Sequence, residues 1–333
     1  MPAKPLIVIL AGVGVAILLI AMLFGAIVSS AYRVSLTESR QEPAQNVPAV
    51  AAADIPDSPY WTDADRWVDV AGLRTRVRIE GADDAPALIL IHGFSVSLES
   101  FDAWAADLAT DYRVIRPDLP GHGLTGPDPE SRYSVPQTAD FVGGLMDTLG
   151  IDTAIIGGNS LGGLAAWRFA ADHPDRVTAL VLVAPGGYSI NGVTEEPVAV
   201  PAPVAAYLLN APAPFVAAAT AQLYGDPSRL DPAVSERIAA MMARDGNGAA
   251  MVARLEVFTL PEPGADLARI TAPTLILHGG ADRMIPLDHS RQMSAAIPNA
   301  RLVTHDDLGH VPHQEDPQRT LGDVRNFLSE VTP

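Results

Sequence analysis

The sequence predicts an α/β fold, with a mostly parallel, doubly wound central sheet and helices on both of its faces. Three observations predict it. Short uninterrupted apolar runs recur at 87–91, 114–115, 154–156, 179–183 and 274–277, as strands buried on both faces require. Helical stretches stand between them, at 100–109, 136–149 and 161–171, and strand–helix alternation is the pattern of such a sheet. A third interval, 188–267, holds helical stretches (204–209, 215–223, 234–243, 249–258) and no strand run. It predicts an all-helical insertion, or cap, over the strand C-termini, where open α/β sheets bind ligands.

The elements follow in order. Residues 1–5 are a short tail carrying Lys4, the one lysine of the chain. Residues 6–28 are 23 positions with no charge and no proline. As a helix at 1.5 Å per residue they would extend about 34 Å, enough to cross a hydrocarbon core of roughly 30 Å. A cleaved signal peptide has an apolar core of only about 7–15 residues, although Ser29-Ser30-Ala31 would suit cleavage. The expectation is a single N-terminal transmembrane anchor, with a cleaved secretion signal as the alternative. A five-residue tail stays readily in the cytoplasm, which puts the bulk of the chain on the extracytoplasmic side. Residues 29–60 carry Pro43, Pro48, Pro56 and Pro59 among Ala, Ser, Gln and acids, without a period, and read as an Ala/Pro-rich linker. The α/β core is expected over 61–187 and 268–333.

At the head of that core, residues 73–79 alternate strictly, placing Arg74, Arg76 and Arg78 on one face of a strand. The expectation is a solvated face.

Composition sets limits. With 39 acidic and 22 basic side chains the 333-residue chain has a net charge of −17. Such a chain is repelled by phosphate backbones, so nucleic-acid binding is not expected. No cysteine is present, which excludes disulfides, thiolate metal sites and a thiol nucleophile. Mean hydropathy is nevertheless +0.18. Residues 6–28 supply about +69 of a chain total near +60, leaving the rest of the sequence close to neutral. The apolar excess belongs to that one segment.

The chemistry-bearing residues lie in four separate segments. Gly158-Asn159-Ser160-Leu161-Gly162 follows an apolar run and precedes a helical stretch, which describes a nucleophile elbow with Ser160 as the candidate nucleophile. A serine alkoxide needs a base, and the base an orienting acid. Candidates stand in the segment His278-Gly279-Gly280-Ala281-Asp282 and in Leu308-Gly309-His310-Val311-Pro312-His313. The remaining two segments are His92-Gly93-Phe94 and Asp118-Leu119-Pro120-Gly121-His122-Gly123. No His/Asp/Glu grouping has metal-ligand spacing and no phosphate loop of Walker type is present, so neither metal nor cofactor is expected.

Together and in this order, these segments resemble the α/β-hydrolase superfamily, in its capped esterase- and lipase-like branch, over about residues 66–330. The resemblance implies Ser160 as nucleophile, His310 as general base and then acid, and Asp282 as its orienter. In the family the base follows a glycine and precedes Glu-x-Pro, as Gly309-His310 and Glu315-Asp316-Pro317 do. That order sets His310 ahead of His313. The backbone N–H groups of Phe94 and Leu161 would form the oxyanion hole, with His92, Gly93, Gly158 and Gly162 as supporting motif residues. The function implied is hydrolysis of carboxylic esters, small or lipid-like, through an acyl-enzyme. A carbon–carbon bond hydrolase of the meta-cleavage-product type or a cofactor-free perhydrolase would use the same three residues. A non-catalytic ligand-binding relative is the alternative outside enzymes.

Overall fold

The computed structural model of the protein describes residues 58–331. The expected anchor at 6–28, the tail before it and the linker to residue 57 lie outside the described residues. At the start of the described residues the Tyr60 carbonyl accepts a hydrogen bond from Arg78 at 2.9 Å.

Eight strands form one sheet: β1 (Asp65–Val70), β2 (Leu73–Glu80), β3 (Ala87–Ile91), β4 (Arg113–Pro117), β5 (Ala154–Asn159), β6 (Val177–Val183), β7 (Thr274–Gly279) and β8 (Ala300–His305). Their order is β1-β2-β4-β3-β5-β6-β7-β8. The β1–β2 and β2–β4 pairs are antiparallel, and every pair from β4 through β3 to β8 is parallel. Five helices flank the sheet: α1 (Asp102–Leu108), α2 (Val135–Thr148), α3 (Leu161–Asp172), α9 (Leu287–Ala296) and α11 (Pro317–Val331). Between β6 and β7 the chain forms α4 (Ala202–Asn210), α5 (Ala213–Ala221), α6 (Pro232–Met242), α7 (Asn247–Glu256) and the single turn α8 (Gly264–Leu267), with no strand. A further turn, α10 (Pro312–Glu315), follows the His310 loop.

The apolar runs become strands because both of their faces are covered. In β3, Ile89 and Ile91 pack toward α2 and α3, whereas Leu88 and Leu90 pack toward α1 and α11. Full burial stabilises each such side chain by about 1.5–3 kcal/mol. The start of α2 is set by a capping box, with Ser134 Oγ accepting from the Gln137 N–H and the Gln137 side chain returning to the Ser134 N–H.

Besides β2, two strands are not visible as apolar runs. β1 mixes polar and apolar residues without a regular alternation and is held by a hairpin at Ala71-Gly72, whose φ values of 51° and 82° are both positive. β8 is an edge strand, half-exposed along most of its length.

The reading of β2 needs a correction. Arg74 is exposed, with its guanidinium 4.3 Å from the Trp67 ring centroid. Arg76 and Arg78, expected in solvent, are buried. Arg76 pairs with Asp65 (2.9 Å), Glu99 (2.7 Å) and Asp118 (3.3 Å), and Arg78 with Asp65 (2.8 Å) and Asp102 (3.3 Å). Residues from Tyr60 to Asp65 and the turn Leu98–Phe101 close over this face. Alternation shows that the arginines share a face, and it carries no signal for carboxylates brought in from 11 to 42 residues away.

Candidate active site

β5 ends at Asn159 and α3 begins at Leu161, so Ser160 is the whole of the turn between them. Its backbone has φ 54° and ψ −112°, strained for a side chain by roughly 1–3 kcal/mol. The turn is pinned from both sides. The Ser160 N–H donates to Val183 O at 3.0 Å, and its carbonyl accepts from the Leu164 and Gly186 N–H groups at 2.9 and 3.0 Å. Glycines are required around it because a Cβ at Gly162 would collide with the Ile91 carbonyl, and one at Gly158 with the Gly162 backbone.

The segment after β3 lies against this turn. A methyl group on Gly93 would stand 3.4 Å from Ser160 Cβ. Within the described residues neither the Phe94 N–H nor the Leu161 N–H donates a hydrogen bond. The Leu161 N–H also opens a helix, where the dipole favours negative charge.

Asp282 follows β7 and His310 follows β8, and the fold brings them together. His310 Nδ1 donates to Asp282 Oδ2 at 2.8 Å. The other carboxylate oxygen accepts the Met284 and Ile285 N–H groups at 2.7 and 3.0 Å. Burial alone would raise the Asp282 pKa, but hydrogen bonds from His278 and His310 hold it well below the usual carboxylate range. Ser160 and His310 line one cavity of about 320 Å³, together with Phe94, Leu161 and, from the helical insertion, Leu255 and Phe258. No hydrogen bond joins Ser160 Oγ to His310 within the described residues. Such contacts are often loose in the absence of substrate.

His92 and His122 of the glycine loops serve the backbone. His92 Nδ1 lies 2.7 Å from Gly93 O and its Nε2 accepts the Leu119 N–H at 2.9 Å, which assigns the proton to Nδ1. Burial pushes its pKa down. Asp118 accepts the Leu98 and Leu124 N–H groups at 2.9 and 2.8 Å. His122 lies edge-on to Phe94, with centroids 5.7 Å apart, and its Nδ1 is 3.1 Å from Pro120 O. His313 turns away from the cavity: it stacks on Phe101 at 4.5 Å, has no partner for either ring nitrogen, and burial pushes its pKa down to about 3. Among the described residues no group of three or more His, Asp or Glu side chains could hold a metal ion.

Four residues escaped notice in the sequence or were read there only as markers. The Asn159 amide donates to both Val183 O and His310 O at 3.1 Å, tying the elbow to the His310 loop. Glu315 accepts the Gly309 N–H at 2.7 Å, and the Gly225 and Asp226 N–H groups of the helical insertion at 2.9 and 2.8 Å. His278 Nε2 lies 3.3 Å from Asp282 Oδ2. Arg254, on α7, lines the cavity and donates to Pro120 O, Tyr133 O and Thr138 Oγ1. Burial lowers its pKa to about 10. Only Glu315 had a sequence signal, its place in the Glu-x-Pro that follows His310; the others depend on contacts between distant segments.

The sequence model described as alpha/beta hydrolase fold matches residues 86–317. The chain belongs to the α/β-hydrolase fold family and is a hydrolase of that superfamily. Among its relatives, the dihydrolipoyllysine-residue acetyltransferase component of the acetoin cleaving system of Cupriavidus necator is 34% identical over 261 residues, 75% of this chain. The chain spans 65% of that relative's length. A 2-hydroxymuconate semialdehyde hydrolase of Pseudomonas putida is 32% identical, over 80% of this chain and 94% of its own. A pimeloyl-[acyl-carrier protein] methyl ester esterase of Aromatoleum aromaticum is 30% identical, over 72% and 98%. Among solved structures, a meta-cleavage product hydrolase from Pseudomonas fluorescens superposes with a TM-score of 0.69 at 26% identity, over 80% of this chain and 97% of that one.

Proposed function

We propose that the protein is a serine hydrolase cleaving carboxylic esters that carry an apolar acyl or alcohol part, held at a membrane by residues 6–28. The observation that carries this reading is the Asp282–His310 hydrogen bond at the wall of the cavity that also holds Ser160. In the proposed cycle His310 Nε2 takes the Ser160 hydroxyl proton as Oγ attacks the ester carbonyl. The Phe94 and Leu161 N–H groups receive the oxyanion, and losing one such donor typically costs roughly 10²–10³ in rate. The tetrahedral intermediate collapses as His310 returns the proton to the departing alcohol. Water, deprotonated by His310, then releases the acid and restores Ser160. Phe94, Leu255 and Phe258 along the cavity support an apolar substrate portion.

Arg254 favours a second reading. It is a buried cation at the cavity wall with no carboxylate partner among the described residues. A substrate carrying a carboxylate, such as a dienoate, would offset its charge. Carbon–carbon bond hydrolysis on the same three residues therefore stands as the alternative.

A fluorophosphonate probe tests the first step, with labelling of the wild type and none of Ser160→Ala as the expected result. An unlabelled wild-type protein overturns the serine-hydrolase reading. Turnover of p-nitrophenyl esters of graded chain length, set against a meta-cleavage dienoate, decides between ester and carbon–carbon chemistry.

A further inference from the structure

The four large apolar side chains most exposed among the described residues are Val198 (44%), Leu209 (57%), Val257 (43%) and Met284 (44%). Three of them belong to the helical insertion, and Met284 lines the cavity. Val198 and Leu209 lie within a longer anomaly. From Pro197 to Gly225 the chain runs 29 residues without a charge. The chain-wide share of 18% charged residues would place about five there.

An amphipathic helix on a protein surface turns charged or polar residues outward. α4 and α5 turn no charge outward, and Asn210 at the end of α4 is the one polar side chain they expose. The exposed positions of α4 include Ala202, Ala206 and Leu209, which share one helix face, and those of α5 include Ala213, Pro214 and Ala218. The inward side is occupied, since Leu208 and Val216 pack with Val96 and Met251 in the core of the insertion. Helix α6 of the same insertion keeps the ordinary pattern, with Glu236 exposed. No single described helix is long and apolar enough to cross a membrane; the α4–α5 pair, bent by 111°, reaches that length and apolarity only when its two helices are taken together. At nine residues each these helices are about 14 Å long. That suits lying in an interface, where an apolar face sinks roughly 5–10 Å.

We propose that the outward face of α4 and α5 docks on a lipid bilayer and brings the helical insertion against the membrane surface. The proposal rests on the membrane-anchored reading above. Residues 29–57 number 29 and reach at most about 100 Å, while a domain of this size has a radius of gyration of roughly 19 Å. A tether of that length lets any face approach the bilayer, so surface chemistry selects which one does. On a chain of net charge −17 most of the surface gains nothing from anionic headgroups. The charge-free run pays no such penalty and offers apolar area instead.

The chain has no cysteine, so one introduced thiol can be labelled uniquely. The test places the full chain in phosphatidylcholine vesicles with an NBD fluorophore at Leu209→Cys, and a control label at exposed Gln318→Cys on α11. A blue-shifted Leu209 label quenched at least twofold by doxyl-labelled lipid, with the Gln318 label unquenched, is the expected result. A Leu209 label as wet and unquenched as the control overturns the proposal. So does a label shielded without lipid quenching and in proportion to protein density, which would mean that a second copy covers the face. Co-flotation after an alkaline wash reads the anchor separately. A chain that floats with its label in water keeps the anchor and loses the docking face, and one that washes off after showing lipid quenching keeps the face and loses the anchor.

Discussion

Two imidazoles share one oxygen of Asp282: His310 Nδ1 stands 2.8 Å from Oδ2 and His278 Nε2 stands 3.3 Å from the same atom. His278 is fully buried and anchored at its other nitrogen, with Nδ1 2.7 Å from Ser290 Oγ. It therefore holds the carboxylate without facing the cavity.

Removing that hold loosens the acid. In His278→Leu the Asp282 Oδ2 keeps one imidazole partner instead of two, and kcat is expected to fall by about tenfold or less. An unchanged kcat would mean that the carboxylate needs no second hold. Asp282→Asn should instead cost on the order of 10³–10⁴ in kcat with thermal stability retained, because the imidazolium loses its partner and its tautomer.

His313 offers a stability test. Its neutral form is buried without hydrogen bonds and its folded pKa is pushed down to about 3, below the ordinary value of about 6.5. Protons thus bind the unfolded chain more tightly, so the contribution is complete above pH ~6.5 and is lost as pH falls toward ~3. His313→Phe is expected to flatten that acid decline and to raise the melting temperature at pH 7, since two unsatisfied nitrogens disappear. Ester turnover should stay within a few-fold of wild type. A large loss would place His313 in the chemistry.

Glu315 couples the His310 loop to the helical insertion through three backbone N–H groups. Glu315→Ala leaves these donors unpaired, at about 1–3 kcal/mol for each one that stays buried. The expected outcome is a fall in kcat of at least tenfold with faster amide exchange at Gly225 and Gly309. Unchanged exchange at Gly309 would contradict the clamp.

The Arg76 network should be sensitive to removal of one partner. Arg76→Met leaves Asp65, Glu99 and Asp118 without their shared cation, and breaking a buried pair typically costs about 3–5 kcal/mol. Urea unfolding should show a fall in unfolding free energy of that size. A loss below about 1 kcal/mol would mean that Arg78 carries the network alone.

Much of the fold was legible in the chain itself. The runs at 87–91, 154–156 and 275–277 are apolar at every position because helices cover both faces of the sheet. The elbow was legible because Gly158 and Gly162 are demanded by local crowding around Ser160. The edge elements β1 and β8 were not, since strands with one wet face or a free edge need no apolar run.

Sequence by itself determined the strand–helix alternation, the helical insertion and Ser160 as the candidate nucleophile, which are local patterns, and through the family resemblance Asp282 and His310 as its candidate partners. Tertiary structure alone decided that Arg76 and Arg78 are buried, that His278 supports Asp282 and that Asn159 and Glu315 hold the His310 loop. Each of these depends on a polar group meeting a partner from a distant segment. Burial makes such partners obligatory, and nothing in the local sequence says which segment will supply them.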